Sequence, residues 1–188
     1  MEVSWTRLNR ILICIAAAAA GALPAHAEVV ESGAAGFTVH GTVRVAATPQ
    51  AAWEGLIQPS RYWNGEHSWS GDAANMTLEP MAGRCFCEGL PASGGSVEHA
   101  RVVYAAPGEM LRLRGSLGPL QAEALTGTLT MTVQPSGAGS KIAWDYVAGG
   151  YARMSLKELA PVVDRVVGEQ LKRLALLLKS TRGLRRGF

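Results

Sequence analysis

Hydrophobic and polar positions alternate along most of this chain, and the period lengthens only near its C-terminal end. Between Phe37 and Val45, the side chains of Phe37, Val39, Val43 and Val45 share one face, while Thr38, His40, Thr42 and Arg44 share the other. That is the pattern of a half-buried strand. Thr48-Pro49 then reads as an N-cap with proline at the first helical position, opening a short helix through Ile57. Its apolar face carries Ala52, Trp53, Leu56 and Ile57. Gln58-Pro59-Ser60 ends this helix, and Pro59 to Trp63 suit a second brief helical turn.

Strand patterns resume at Met76–Glu79, Arg84–Glu88, Val97–Ala105 and Met110–Arg114, separated by stretches rich in proline and glycine. Ala124–Val133 alternates most cleanly, with Leu125, Leu129, Met131 and Val133 opposite four threonines. Lys141–Val147 follows, with Ile142, Trp144 and Tyr146 on its apolar side. The threonine faces predict a sheet with one side in water. After Tyr151 the spacing of apolar residues changes to three and four: Leu159, Val163, Val167, Leu171, Leu174 and Leu178 mark an amphipathic helix of five or more turns. Pro161 is expected in its first turn, with Ser155 to Leu159 as a separate preceding turn. One strand, a short helical pair, a run of antiparallel strands and a long closing helix predict an α+β layout in which that helix lies across the sheet.

The first 27 residues have the organisation of a secretory signal peptide. Arg7 and Arg10 form a basic start, Ile11–Ala20 an apolar run, and Ala25-His26-Ala27 a small-residue cleavage site. The apolar run falls short of the ~20 residues that span a bilayer. Cleavage after Ala27 would deliver the protein to the periplasm or the medium. The expected divisions are 1–27 signal peptide, 28–36 flexible lead-in, 37–180 folded domain and 181–188 basic tail.

Charge refines this picture slightly. The whole chain carries a net charge of +3, but six basic residues and no acidic ones follow Leu171. That end could touch an anionic membrane surface weakly; it also suits a solvated helix terminus whose cations favour the dipole. Export makes nucleic acid a poor partner, and nothing in the sequence calls for an obligate protein partner. Cys85 and Cys87 sit two apart on an expected strand, where Cα atoms lie ~6.5–7 Å apart. Two half-buried free thiols facing the interior are expected, a disulfide requiring a local kink.

Chemistry concentrates between residues 53 and 87. Aromatic residues make up 6% of the chain, yet three of its five tryptophans, Trp53, Trp63 and Trp69, fall within this segment. Large amphipathic rings with a few polar neighbours suit a ligand pocket. His67 stands beside Glu66, with Asp72 close behind, so an acid–base pair centred on His67 is conceivable. A structural role at a cavity rim fits equally. No metal motif, phosphate loop, nucleophile elbow or nucleotide fingerprint is present. Neither a metal nor a cofactor is therefore expected.

Two stretches carry a family resemblance. Val43-Arg44-Val45-Ala46-Ala47-Thr48-Pro49-Gln50-Ala51-Ala52-Trp53 resembles the opening of the START and birch-pollen-allergen-like (SRPBCC) superfamily, a strand followed by Thr-Pro and a helix with an inward aromatic. Pro107-Gly108-Glu109-Met110-Leu111-Arg112-Leu113 is similar to its turn into a central strand. Within the superfamily, the chain looks most like the branch of polyketide cyclase/dehydrase and heat-shock-ATPase-activator homologues. The resemblance implies the helix-grip fold, a curved antiparallel sheet wrapped around one long C-terminal helix. It also implies a central cavity for a hydrophobic or amphipathic small molecule. Trp63, Trp69, Trp144 and Tyr146 are then expected to wall that cavity, with His67 and Tyr151 as polar contacts. The alternative is a cyclase- or dehydratase-type enzyme in which His67 works with Glu66 or Asp72.

Overall fold

The computed structural model describes residues 26–184, with side chains from 27 to 179. Nearly all of the expected leader, and the last residues of the basic tail, lie outside the described residues.

Strands β1 (His26–Ser32) and β2 (Gly36–Val45) are followed by helix α1 (Pro49–Leu56). Three 3-10 turns come next, at Pro59–Arg61, Gly65–His67 and Ala73–Asn75. The chain then runs through β3 (Met76–Leu78), β4 (Cys85–Leu90), β5 (Gly95–Ala106), β6 (Met110–Arg114), β7 (Ala124–Ser136) and β8 (Gly139–Tyr151). Helix α2 (Leu156–Leu184) closes it. All eight strands form one antiparallel sheet in the order β1-β2-β8-β7-β6-β5-β4-β3. This is the expected helix-grip arrangement.

The alternation read from the sequence is the alternation of burial. Phe37, Val39, Val43 and Val45 of β2 are buried, as are Leu125, Leu129, Met131 and Val133 of β7. Leu171, Leu174 and Leu178 of α2 complete the core against this face. Thr48 caps α1, its hydroxyl accepting the Ala51 amide at 3.3 Å. Gly55 lets α1 press onto α2: a Cβ there would stand 2.8 Å from Leu178 Cδ2.

Several expectations need correction. The lead-in is a strand. β1 pairs with β2 from His26↔Thr42 to Ser32↔Phe37, interrupted by a bulge between Val29 and Glu31. Cleavage after Ala27 would leave Glu28–Ser32 of it in place. Gly149 and Gly150 belong to β8, paired with Thr126 and Leu125 of β7. Pro161 lies inside α2, which begins at Leu156. Leu156 and Ala160 are both buried, and that burial offsets the backbone hydrogen bond that proline cannot make. His40, expected in water, is half-buried, with Nδ1 2.6 Å from Asp145 Oδ1 across the β2–β8 pair.

The cysteines also differ from expectation. Cys85 and Cys87 form a disulfide, and their Cα atoms are 5.4 Å apart. They alternate with buried Phe86 and Glu88, so they occupy the outer face of β4 rather than the interior. The kink a disulfide requires coincides with a bulge: Phe86 pairs with Ala100 and Cys87 with Glu98, which leaves His99 as an extra residue on β5. His99 and Ala100 are consequently both buried, breaking the period of two.

Candidate ligand site

A small internal cavity of about 10 Å³ lies between the concave sheet and the segment that links α1 to β3. That segment contributes Pro59, Tyr62 and Trp63. The sheet contributes Leu78, Phe86, Leu113, Leu129, Met131 and Trp144, from five different strands. The inward period of each strand puts these side chains there, and Pro59 starts the turn that brings the two aromatic rings of the cover over them. The rings pack closely: Trp63 meets Phe86 edge-on at 5.3 Å between centroids, and Tyr62 lies 6.4 Å from Trp144. The remaining space is about that of one water molecule.

Few polar atoms enter this region. Tyr62 Oη donates to the Leu56 carbonyl at 3.0 Å, and burial pushes its phenol well above the usual range. Trp63 Nε1 donates to the His67 carbonyl at 3.1 Å. Trp144, 1% exposed, buries its Nε1 without a hydrogen-bond partner.

The cover is a distinct segment fastened on two sides. Towards α2, the Asn64 amide donates to Gln170 Oε1 at 2.8 Å, and Asn64 Nδ2 donates to Glu169 Oε1 at 2.7 Å. His67 Nε2 lies 3.1 Å from Glu169 Oε2, and Arg173 Nε donates to the Tyr62 carbonyl at 2.7 Å. Towards the sheet, the buried carboxylate of Glu88 accepts the amides of Trp69 at 3.1 Å and Ser70 at 2.5 Å. It also lies 2.9 Å from His99 Nε2. Burial pushes the Glu88 carboxyl up, but the bonds from Ser70, Trp69 and His99 outweigh it and hold the group below the usual carboxylate range. Burial also pushes His99 down, against the opposing pull of Glu88. His99 stacks on Phe86 at 4.8 Å, which links this anchor to the cavity wall.

The expected site residues therefore divide. Trp63 and Trp144 are cavity walls. Tyr146 is buried but engaged elsewhere: its ring crosses Gly127, and its hydroxyl bonds the Leu117 amide and the Gly115 carbonyl. Trp69 is 53% exposed and is tied to the sheet through its backbone amide. Tyr151, 71% exposed, lines a separate open hollow of about 420 Å³ with Met154 and Lys157. The acid–base pair is not formed. His67 meets Glu169 instead of Glu66 or Asp72, Asp72 caps the turn at Ala73–Asn75, and all three side chains face outward from the cavity region. Glu88, His99 and Glu169 were not singled out from the sequence. Their partners lie on other elements, and the bulge hides the inward orientation of His99. Among the described residues, no three His, Cys, Asp or Glu side chains form a metal-binding group.

Residues 36–179 match the family model for polyketide cyclase / dehydrase and lipid transport. The chain belongs to this family. No curated protein matches the sequence. Among solved structures, the family member is similar to a protein from Mesorhizobium loti, with 19% identity and a TM-score of 0.55 over 77% of this chain and 98% of that one. A Rhodobacter sphaeroides protein matches at 18% identity and a TM-score of 0.53, over 83% of this chain and 99% of the other. DynU16, a protein from the dynemicin biosynthetic locus, matches at 15% identity and a TM-score of 0.55, covering 77% of this chain and 48% of its own. At these identities the likeness shows the fold alone.

Proposed function

We propose that this protein is an exported carrier of a hydrophobic small molecule, held between the sheet and the 59–75 cover. The observation that carries the reading is the attachment of that cover. Tyr62 and Trp63 close an apolar cavity, yet their segment is joined to α2 and β4 by side-chain hydrogen bonds rather than by sheet pairing. Such bonds exchange with water at modest net cost. Lifting the cover withdraws two large rings, and the strands need not separate. A site of this kind enlarges when occupied, towards the ~300–1,000 Å³ usual for small-molecule pockets. Membership of the polyketide cyclase / dehydrase and lipid transport family supports ligand binding in this fold. Export is supported by the leader-like N-terminus and by the Cys85–Cys87 disulfide, a bond that persists in oxidising compartments.

Titration with Nile red, a neutral hydrophobic dye, tests the binding reading. Saturable binding at one dye per chain is expected, with blue-shifted emission. Leu78→Trp, which places a ring at the half-buried edge of the cavity, is expected to abolish it. A signal that fails to saturate, or that survives Leu78→Trp, would overturn the reading.

A further inference from the structure

Trp144 lines the cavity, and among the described residues its Nε1 is the one polar group of the lining that is buried without a hydrogen-bond partner. Trp144 Nε1 is buried and unpaired, and a buried donor without a partner carries the full penalty of its desolvation. The neighbouring donors are already committed, Tyr62 Oη to the Leu56 carbonyl and Trp63 Nε1 to the His67 carbonyl. No charged side chain lines the cavity. A single water is a poor partner for Trp144, because buried waters need two to four polar contacts. A carboxylate or phosphate is worse, since it would be desolvated with no counter-charge.

Resting on the ligand-binding reading above, we propose that the ligand is a neutral, mainly apolar molecule with a hydrogen-bond acceptor, such as a ketone or ester carbonyl, which accepts from Trp144 Nε1. The indole then acts as the specificity-determining group of the site. Its donor selects against pure hydrocarbons, which leave it unpaired. The surrounding apolar wall selects against anions. The rule is asymmetric in the usual way: a site built around one buried polar group rejects ligands that cannot bond it more strongly than it ranks apolar bulk.

Three naphthalenes of similar size separate the possibilities: 2-acetylnaphthalene carries an acceptor, 2-ethylnaphthalene lacks one, and 2-naphthoate is anionic. Calorimetry on the intact protein is expected to rank the ketone about tenfold tighter than the ethyl compound, with the naphthoate weakest. In Trp144→Phe the difference between ketone and ethyl compound is expected to vanish. The indole N–H resonances of the ¹⁵N-labelled wild-type protein give a second readout, independent of how the variant folds. One of them shifts downfield with the ketone and stays in place with the ethyl compound. Equal affinities for ketone and ethyl compound, a tighter naphthoate, or an unmoved indole resonance would overturn the proposal while leaving ligand binding intact. Binding of none of the three would remove the ligand-site reading itself, and this inference with it.

Discussion

Glu88 Oε2 and His99 Nε2 lie 2.9 Å apart in the interior, and the same carboxylate receives the backbone amides of Trp69 and Ser70. One buried side chain thus joins the bulge in β5 to the cover of the cavity. Glu88→Ala strands the two amides and the imidazole together, so it is expected to cost roughly 1–3 kcal/mol of stability. Amide hydrogen exchange across residues 64–72 should accelerate. His67→Ala is the contrasting case. Its pairing with Glu169 is about one-third exposed on each side, so its loss should cost under about 1 kcal/mol. Unchanged exchange in Glu88→Ala would show that the carboxylate does not hold the cover.

The same pair sets a pH dependence. Both groups have folded-state pKa values below their ordinary ones, near 6.5 for His99 and 4.5 for Glu88. The unfolded chain therefore binds protons more readily at each site. The stability contributed is fully present above the unfolded values and is lost as the pH falls through the folded ones. Denaturation profiles should weaken below pH 6.5 through His99 and again below 4.5 through Glu88. His99→Gln should flatten the first decline, and a profile identical to wild type would remove His99 as its source.

Gly127 is required by Tyr146. A Cβ at 127 would stand 2.3 Å from Tyr146 Oη, with the ring carbons scarcely farther away. Gly127→Ala should destabilise by about 1–3 kcal/mol through overpacking, measured by chemical denaturation. It should also release the Tyr146 bonds to Gly115 and Leu117. A neutral substitution would mean that the ring is free to move.

Much of the fold was legible because each buried strand position repeats every second residue, as in Phe37–Val45 and Ala124–Val133. Thr48-Pro49 located the start of α1 for an equally local reason. The losses occurred where long-range contacts override local pattern. β1 has no clean alternation and contains a bulge. His99 is turned inward by an extra residue opposite Phe86 and Cys87, which no single-strand pattern displays. Pro161 is tolerated in α2 because Leu156 and Ala160 are buried by tertiary packing. In the site, Trp63 fell in the aromatic cluster and Trp144 on the inward face of its strand, while a wall role for either was implied by the family resemblance alone. The partner of His67 was not readable, because Glu169 is supplied by a helix a hundred residues away in sequence.

The Cys85–Cys87 bridge closes a very short loop, so chain entropy assigns it under about 2 kcal/mol. Reductant should lower the melting temperature only slightly. Neither thiol should react with a maleimide before reduction, and N-terminal sequencing of the same exported material should begin at Glu28. Free thiols in protein recovered from the host, with residues 1–27 retained, would contradict export.

Native mass spectrometry of the protein isolated from its own host tests the central claim most directly. The account predicts a non-covalent adduct on the folded chain, a hydrophobic and uncharged molecule carrying at least one carbonyl or comparable acceptor, released when the protein is denatured. A bare chain in gently prepared material, combined with no saturable binding of neutral hydrophobic probes, would contradict it.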